Sequence, residues 1–135
     1  MSWQAYVDSS LLGTGHIDKA AIVSGDGDST WAASPGFTLS ADELSNIVAI
    51  LKDINNPESR AVENARTDGI HVAGERYVAF RIEDQHIYGR KGKTGVCIVK
   101  TKQSIIIGHY DENIQAASAT ATVEALADYL IKAGY

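Results

Sequence analysis

Apolar positions along the chain change period several times, and each change marks an element. Val7, Leu11 and Leu12 follow Ser2, an N-cap residue, and predict a first helix that Gly13-Thr14-Gly15 ends. Ala20-Ala21-Ile22-Val23 reads as a buried strand, Gly25-Asp26-Gly27-Asp28 as a turn, and Thr30-Trp31-Ala32-Ala33 as its hairpin partner. Ser40 with Glu43 three residues on has capping-box spacing. Leu44, Ile47, Val48 and Leu51 then supply the stripe of a second helix. From Lys52 to Asp68 the chain turns polar, a long connection with a short helix begun by Pro57.

Strands dominate residues 69–110. Val78, Phe80 and Ile82 alternate with Tyr77, Ala79 and Arg81, as on a half-exposed strand. His86–Arg90, Val96–Thr101 and Ile105–Tyr110 add three more, and their short gaps favour antiparallel pairing. Ala116, Ala119, Val123, Leu126, Ala127 and Leu130 predict a long closing helix that Gly134 terminates. The fold class is α+β: a central antiparallel sheet flanked by helices, with the N- and C-terminal helices on the same face and residues 1–135 in a single domain.

Composition narrows this little. The 135 residues are 44% hydrophobic and 21% charged, ordinary for a soluble globular chain. The longest apolar run, Ile47–Leu51, is too short to cross a bilayer, and a single cysteine, Cys97, fits a reducing compartment. A cytoplasmic location is the expectation. The net charge of −5 is uneven: between Gln85 and Tyr110 no acidic residue occurs, while Arg90, Lys91, Lys93, Lys100 and Lys102 all fall there. Such a zone can steer toward an acidic partner or anionic lipid, or can be a solvated face whose lysines discourage sheet aggregation.

Catalytic candidates are thin. His16, His71, His86 and His109 lack the spacing of a metal site, and no cofactor is implied. His109-Tyr110-Asp111 can orient a general base, but no nucleophile is marked, and Cys97 lies within an apolar strand. The acidic turn at Asp26 lacks the later oxygen ligands and closing glutamate of a calcium loop. The expectation is a binding protein without enzymatic activity.

Aromatic residues at the chain ends carry more information. Trp3 and Tyr6 open the sequence and Tyr129 and Tyr135 close it, where chains ordinarily fray. Trp3 and Tyr6 share one helical face. If the last helix packs beside the first, these rings form a ledge of the kind that receives proline-rich ligands. Core anchoring is the other reading, since aromatics dominate cores as well as interfaces. Trp31 favours the ledge slightly, because its neighbours Ala32, Ala33 and Ser34 are small enough to leave an indole presented.

The opening Ser2-Trp3-Gln4-Ala5-Tyr6-Val7-Asp8 resembles the N-terminal signature of profilins. Leu12-Gly13-Thr14-Gly15, Asp18-Lys19-Ala20, Trp31-Ala32, Ile87-Tyr88-Gly89-Arg90, Thr101-Lys102-Gln103 and Ala127-Asp128-Tyr129-Leu130 are similar to fungal members. The resemblance spans nearly the whole chain. It implies a monomeric cytoplasmic and cytoskeletal protein that binds actin monomers, proline-rich segments of assembly factors such as formins, and phosphoinositide head groups, with no nucleic-acid role. By resemblance the proline-binding ledge is Trp3, Tyr6, Trp31, Tyr129, Leu130 and Tyr135. The actin face includes Arg76, Arg81, Arg90 and Lys100, with His109 near its edge.

Two departures bear on actin. Lys52–Asp68 looks longer and more polar than in most fungal relatives, and Ala121 falls where relatives often carry a lysine facing actin. These imply weaker actin binding, and in the alternative reading a proline-rich-peptide adaptor whose actin binding is weak or lost.

Overall fold

The computed structural model describes residues 2–135. Seven antiparallel strands form one sheet: β1 (Lys19–Ser24), β2 (Thr30–Ala33), β3 (Ile70–Val72), β4 (Glu75–Glu83), β5 (His86–Lys91), β6 (Thr94–Lys100) and β7 (Ser104–Tyr110). Their spatial order is β2-β1-β7-β6-β5-β4-β3. From β3 to β7 the strands run as a meander in which each pairs with the next. β7 then pairs with β1, the longest sequence separation between neighbouring strands in the sheet. The short gaps read from sequence therefore do give antiparallel neighbours.

Helices cover both faces. On one face lie α2 (Ala41–Lys52) and α3 (Arg60–Asp68), packed over Ile70, Tyr77, Ile87, Ile98, Ile105 and Ile107. On the other lie the N-terminal helix and α4 (Ala116–Lys132), over Ile22, Cys97, Val99 and Ile106. Burial on both faces explains the unbroken Ile105-Ile106-Ile107 run at the sheet centre: alternate isoleucines feed alternate cores.

Local sequence sets the helix ends. Ser40 accepts from the Glu43 amide while the Glu43 carboxylate accepts from the Ser40 amide, completing the capping box of α2. The Lys52–Asp68 connection is ordered, but its helix starts later than Pro57 suggests. Ser59 is the N-cap of α3, accepting from the Val62 amide. A serine hydroxyl satisfies one of the free amides of the first turn, whereas proline only removes one.

The first helix is irregular. The α-helical turn α1 (Trp3–Ala5), capped by Ser2, passes into a π-helical stretch (Tyr6–Leu11) and a 3₁₀ turn (Leu12–Thr14), and Gly15 leaves it at φ 78°. The predicted bounds hold. The widened spacing is not visible in the apolar pattern, and such bulges cluster at functional sites.

Candidate functional site

The two chain ends meet on the face of the sheet that carries the terminal helices. Ser2 holds the first turn, and Gln4 donates from its side chain to the Ala33 carbonyl at 3.2 Å, fixing the N-terminal helix against β2. That contact brings Trp3 to Trp31, with ring centroids 4.7 Å apart and planes at 39°. Trp3 also lies 5.6 Å from Tyr6 and meets Tyr135 edge-on at 5.4 Å. Tyr6 continues the row to Tyr129 at 6.1 Å. Trp3, Tyr6 and Trp31 are half-buried, while Tyr129 and Tyr135 are exposed. The rings are thus packed from below by Val7, Leu11 and α4, and open above.

Five of the six residues expected at this ledge are brought together. Leu130 is the exception. It is 0% exposed, inside the core beneath the rings, so it supports the ledge rather than presenting a surface. The cause is helical geometry: Leu130 continues the inward stripe of Ala119, Val123, Leu126 and Ala127, whereas Tyr129 stands one step outside it.

The Tyr6 phenol is held above its ordinary range, first by partial desolvation and then by the Tyr129 hydroxyl beside it. The Tyr6 hydroxyl therefore keeps its proton at physiological pH. Beside Tyr6 and Tyr129 a furrow of about 680 Å³ runs between the terminal helices, lined by Ser10, His16, Ala121, Ala125 and Leu126. Ala121 belongs to this furrow.

A second surface lies on the same side of the sheet, beyond the edge of α4. The terminal helices cover β6, β7 and β1 and, at Tyr88, part of β5, but leave the outer side of β4 open. Val78 and Phe80 are 53% and 56% exposed there, the largest bare apolar side chains of the sheet. Arg90 lies over the Phe80 ring at 5.6 Å and Arg81 over the Tyr88 ring at 5.0 Å. His86 stacks on Tyr88 at 5.9 Å with planes 7° apart, and the Tyr88 hydroxyl donates to Glu124 of α4. Burial and that glutamate push the Tyr88 phenol far above its ordinary value. Arg76 belongs to this side and donates to the Asp68 carbonyl at 2.5 Å.

The sequence alternation within β4 conceals how this shelf arises. Tyr77 and Ala79 point into the α2/α3 core, so Val78 and Phe80 point out. The pairing with β5 shifts between Ala79 and Arg81. That bulge resets the alternation: Ile82 turns inward while Phe80 and Arg81 both stay outside.

Lys100 and His109, expected with the three arginines, lie on the opposite side. Lys100 shares its side of β6 with Val96 and Ile98 and donates to the Thr101 carbonyl. His109 follows Ile105 and Ile107 on β7, is 8% exposed, and packs near Phe37 and Tyr77. Its Nδ1 is 2.6 Å from Asp18, not from Asp111, so His109 ties β7 to the start of β1. The basic run in sequence is therefore split by strand alternation.

The profilin family model matches residues 1–135. The chain belongs to the profilin family. Profilin of Schizosaccharomyces pombe is 49% identical over all of both chains. The solved structure of Acanthamoeba castellanii profilin II superposes with a TM-score of 0.89 at 44% identity, covering 99% of this chain and all of that one. Mouse profilin IIa, solved in complex with a double repeat from the FH1 domain of mDia1, shares the fold with a TM-score of 0.75, at 20% identity and full coverage of both chains. The α+β fold with terminal helices on one face is the profilin fold, and the family is one of actin-binding cytoskeletal regulators.

Proposed function

We propose that this profilin binds actin monomers on the β4–β5 shelf and proline-rich segments of assembly factors, formins among them, across the aromatic ledge. The observation that carries the reading is the ring cluster around Trp3, assembled from both chain ends yet left open to solvent. A polyproline II segment is pre-extended, so gripping it costs little further backbone entropy. Its carbonyls have no internal partners, and the Trp and Tyr rings offer N–H and O–H donors beside flat apolar faces. The mouse relative captured with an FH1 repeat supports this class of ligand.

For actin, the support is chemical. Phe80 and Val78 supply bare apolar area, and Arg76, Arg81 and Arg90 surround it with planar donors suited to carboxylates. The same arginines suit phosphoinositide head groups, so lipid and actin compete for the shelf. With the ledge and the shelf on separate elements, one molecule holds both partners and brings monomers to sites of assembly in the cytoplasm as a monomeric adaptor. No helix among the described residues is long and apolar enough to cross a membrane, in keeping with peripheral lipid contact.

Two titrations test the reading. Polyproline added to the protein changes its tryptophan fluorescence strongly, because both tryptophans lie in the ledge. Actin monomers are sequestered in a polymerisation assay, and phosphoinositide vesicles relieve that sequestration. A tryptophan signal indifferent to polyproline makes Trp3 and Trp31 core anchors only. Polyproline binding without sequestration favours the peptide adaptor.

A further inference from the structure

We propose that Thr101 and Gln103, in the turn joining β6 to β7, are positioning residues of the ledge: they hold the Tyr135 main chain so that its ring stands against Trp3. This rests on the reading of the ledge as a proline-rich-segment site. The Thr101 side chain is buried and its hydroxyl has one proton to give. It accepts from the Ser104 amide at 3.1 Å and faces the Ser104 hydroxyl at 2.6 Å. With Ser104 supplying the proton of that second contact, the Thr101 proton faces two main-chain oxygens, Ser104 at 3.3 Å and Tyr135 at 2.9 Å, and the shorter contact is the one to Tyr135.

Gln103 adds two further ties. Its amide donates to the same Tyr135 oxygen at 2.5 Å, and its side-chain amide donates to the Gly134 carbonyl at 3.3 Å. Gly134, at φ 96°, turns the chain back, and the Tyr135 amide then donates to the Leu130 carbonyl at 2.8 Å. Tyr135 is thus held at both ends of its main chain, although it lies beyond the last helix where chains fray. From that fixed main chain its ring meets Trp3 edge-on, with planes at 87°. Thr101 is buried, and Gln103 is tied to the main chain of Gly134 and Tyr135, so each acts through Tyr135.

The test is a double-mutant cycle read by polyproline affinity. Tyr135→Ala is expected to weaken binding about tenfold, a loss typical of an interface aromatic. Thr101→Val, which keeps the shape and removes the donor, is expected to fall within twofold of Tyr135→Ala. Thr101→Ser restores the donor and the affinity. In the Tyr135→Ala background Thr101→Val costs nothing further. The free protein gives an independent readout: Trp3 emission shifts to the red in Thr101→Val and Tyr135→Ala alike, and not in Thr101→Ser. Gln103→Ala, a change at an exposed site, loses affinity in the same direction and keeps the proposal testable should Thr101→Val fail to fold. Wild-type affinity in both Thr101→Val and Gln103→Ala, or losses that multiply with Tyr135→Ala, overturns the assignment. If wild-type protein ignores polyproline, the ledge reading itself fails, and this inference with it.

Discussion

Trp3 and Trp31 come from different elements, one from the first helical turn and one from an edge strand, yet their rings meet at 4.7 Å with planes tilted by 39°. Trp3 is also the one residue in contact with three other rings of the ledge, Tyr6, Trp31 and Tyr135. Trp3→Ala is therefore expected to weaken polyproline binding by about 2 kcal/mol or more, roughly thirtyfold. Calorimetric titration with a proline decamer measures it. A loss under threefold would place the binding surface elsewhere.

Phe80 offers the complementary case. Its ring is mostly solvent-exposed, so Phe80→Ser should leave thermal stability unchanged or slightly improved. Actin-monomer affinity should fall by about tenfold, as for a central interface aromatic. Sequestration assays and a melting curve on the same sample separate the two effects. A large drop in melting temperature with actin binding intact would make Phe80 a structural residue.

Much of this architecture is legible in the sequence, because its signals are local. The Ser40–Glu43 capping box, the hairpin turn after Val23 and the stripe of α4 each lie within a few residues. What the sequence hides depends on pairing partners. The β4 bulge at Phe80 exists only against β5, and it decides which of Val78, Phe80 and Ile82 are bare. Strand alternation, counted from a known core position, separates Lys100 and His109 from Arg90, while Arg81 joins Arg90 only through the bulge. Linear charge clustering cannot separate them. Leu130 belongs to the apolar stripe of α4 that the sequence shows, and that stripe, rather than the ledge motif, tells that it points in while Tyr129 points out.

Cys97 provides a prediction from pH. Burial raises its thiol from the ordinary 9.0 to about 12, with the Glu124 charge adding to the effect. Native protein at pH 8 should resist alkylation by iodoacetamide, with labelling appearing only as denaturant unfolds it. The raised value also sets a sign for stability. The unfolded thiol ionises from about pH 9 while the folded one keeps its proton, so this contribution is full below pH 9 and is lost as pH rises toward 12. Rapid native labelling at pH 8 would show that the site opens.

Gly69 ends α3 at φ 86°, a conformation that side chains disfavour. A Cβ there would also collide with the Tyr77 carbonyl and touch the Arg76 side chain. Gly69→Ala should destabilise the fold by about 2–3 kcal/mol in chemical denaturation, combining strain with a backbone shift. A loss below 0.5 kcal/mol would mean that the α3–β3 corner relaxes freely.

The central claim is that the ledge and the shelf work independently, and Tyr6→Asp tests it most directly. Tyr6 is half-buried among the rings, on a different element from the Phe80 shelf, and a carboxylate there removes a flat face and places charge beside Tyr129. Polyproline and actin affinities should be measured on the same preparation of this variant. The account predicts that polyproline binding is abolished while actin affinity stays within twofold of wild type. An equal fall in both, or retained polyproline binding, would contradict it.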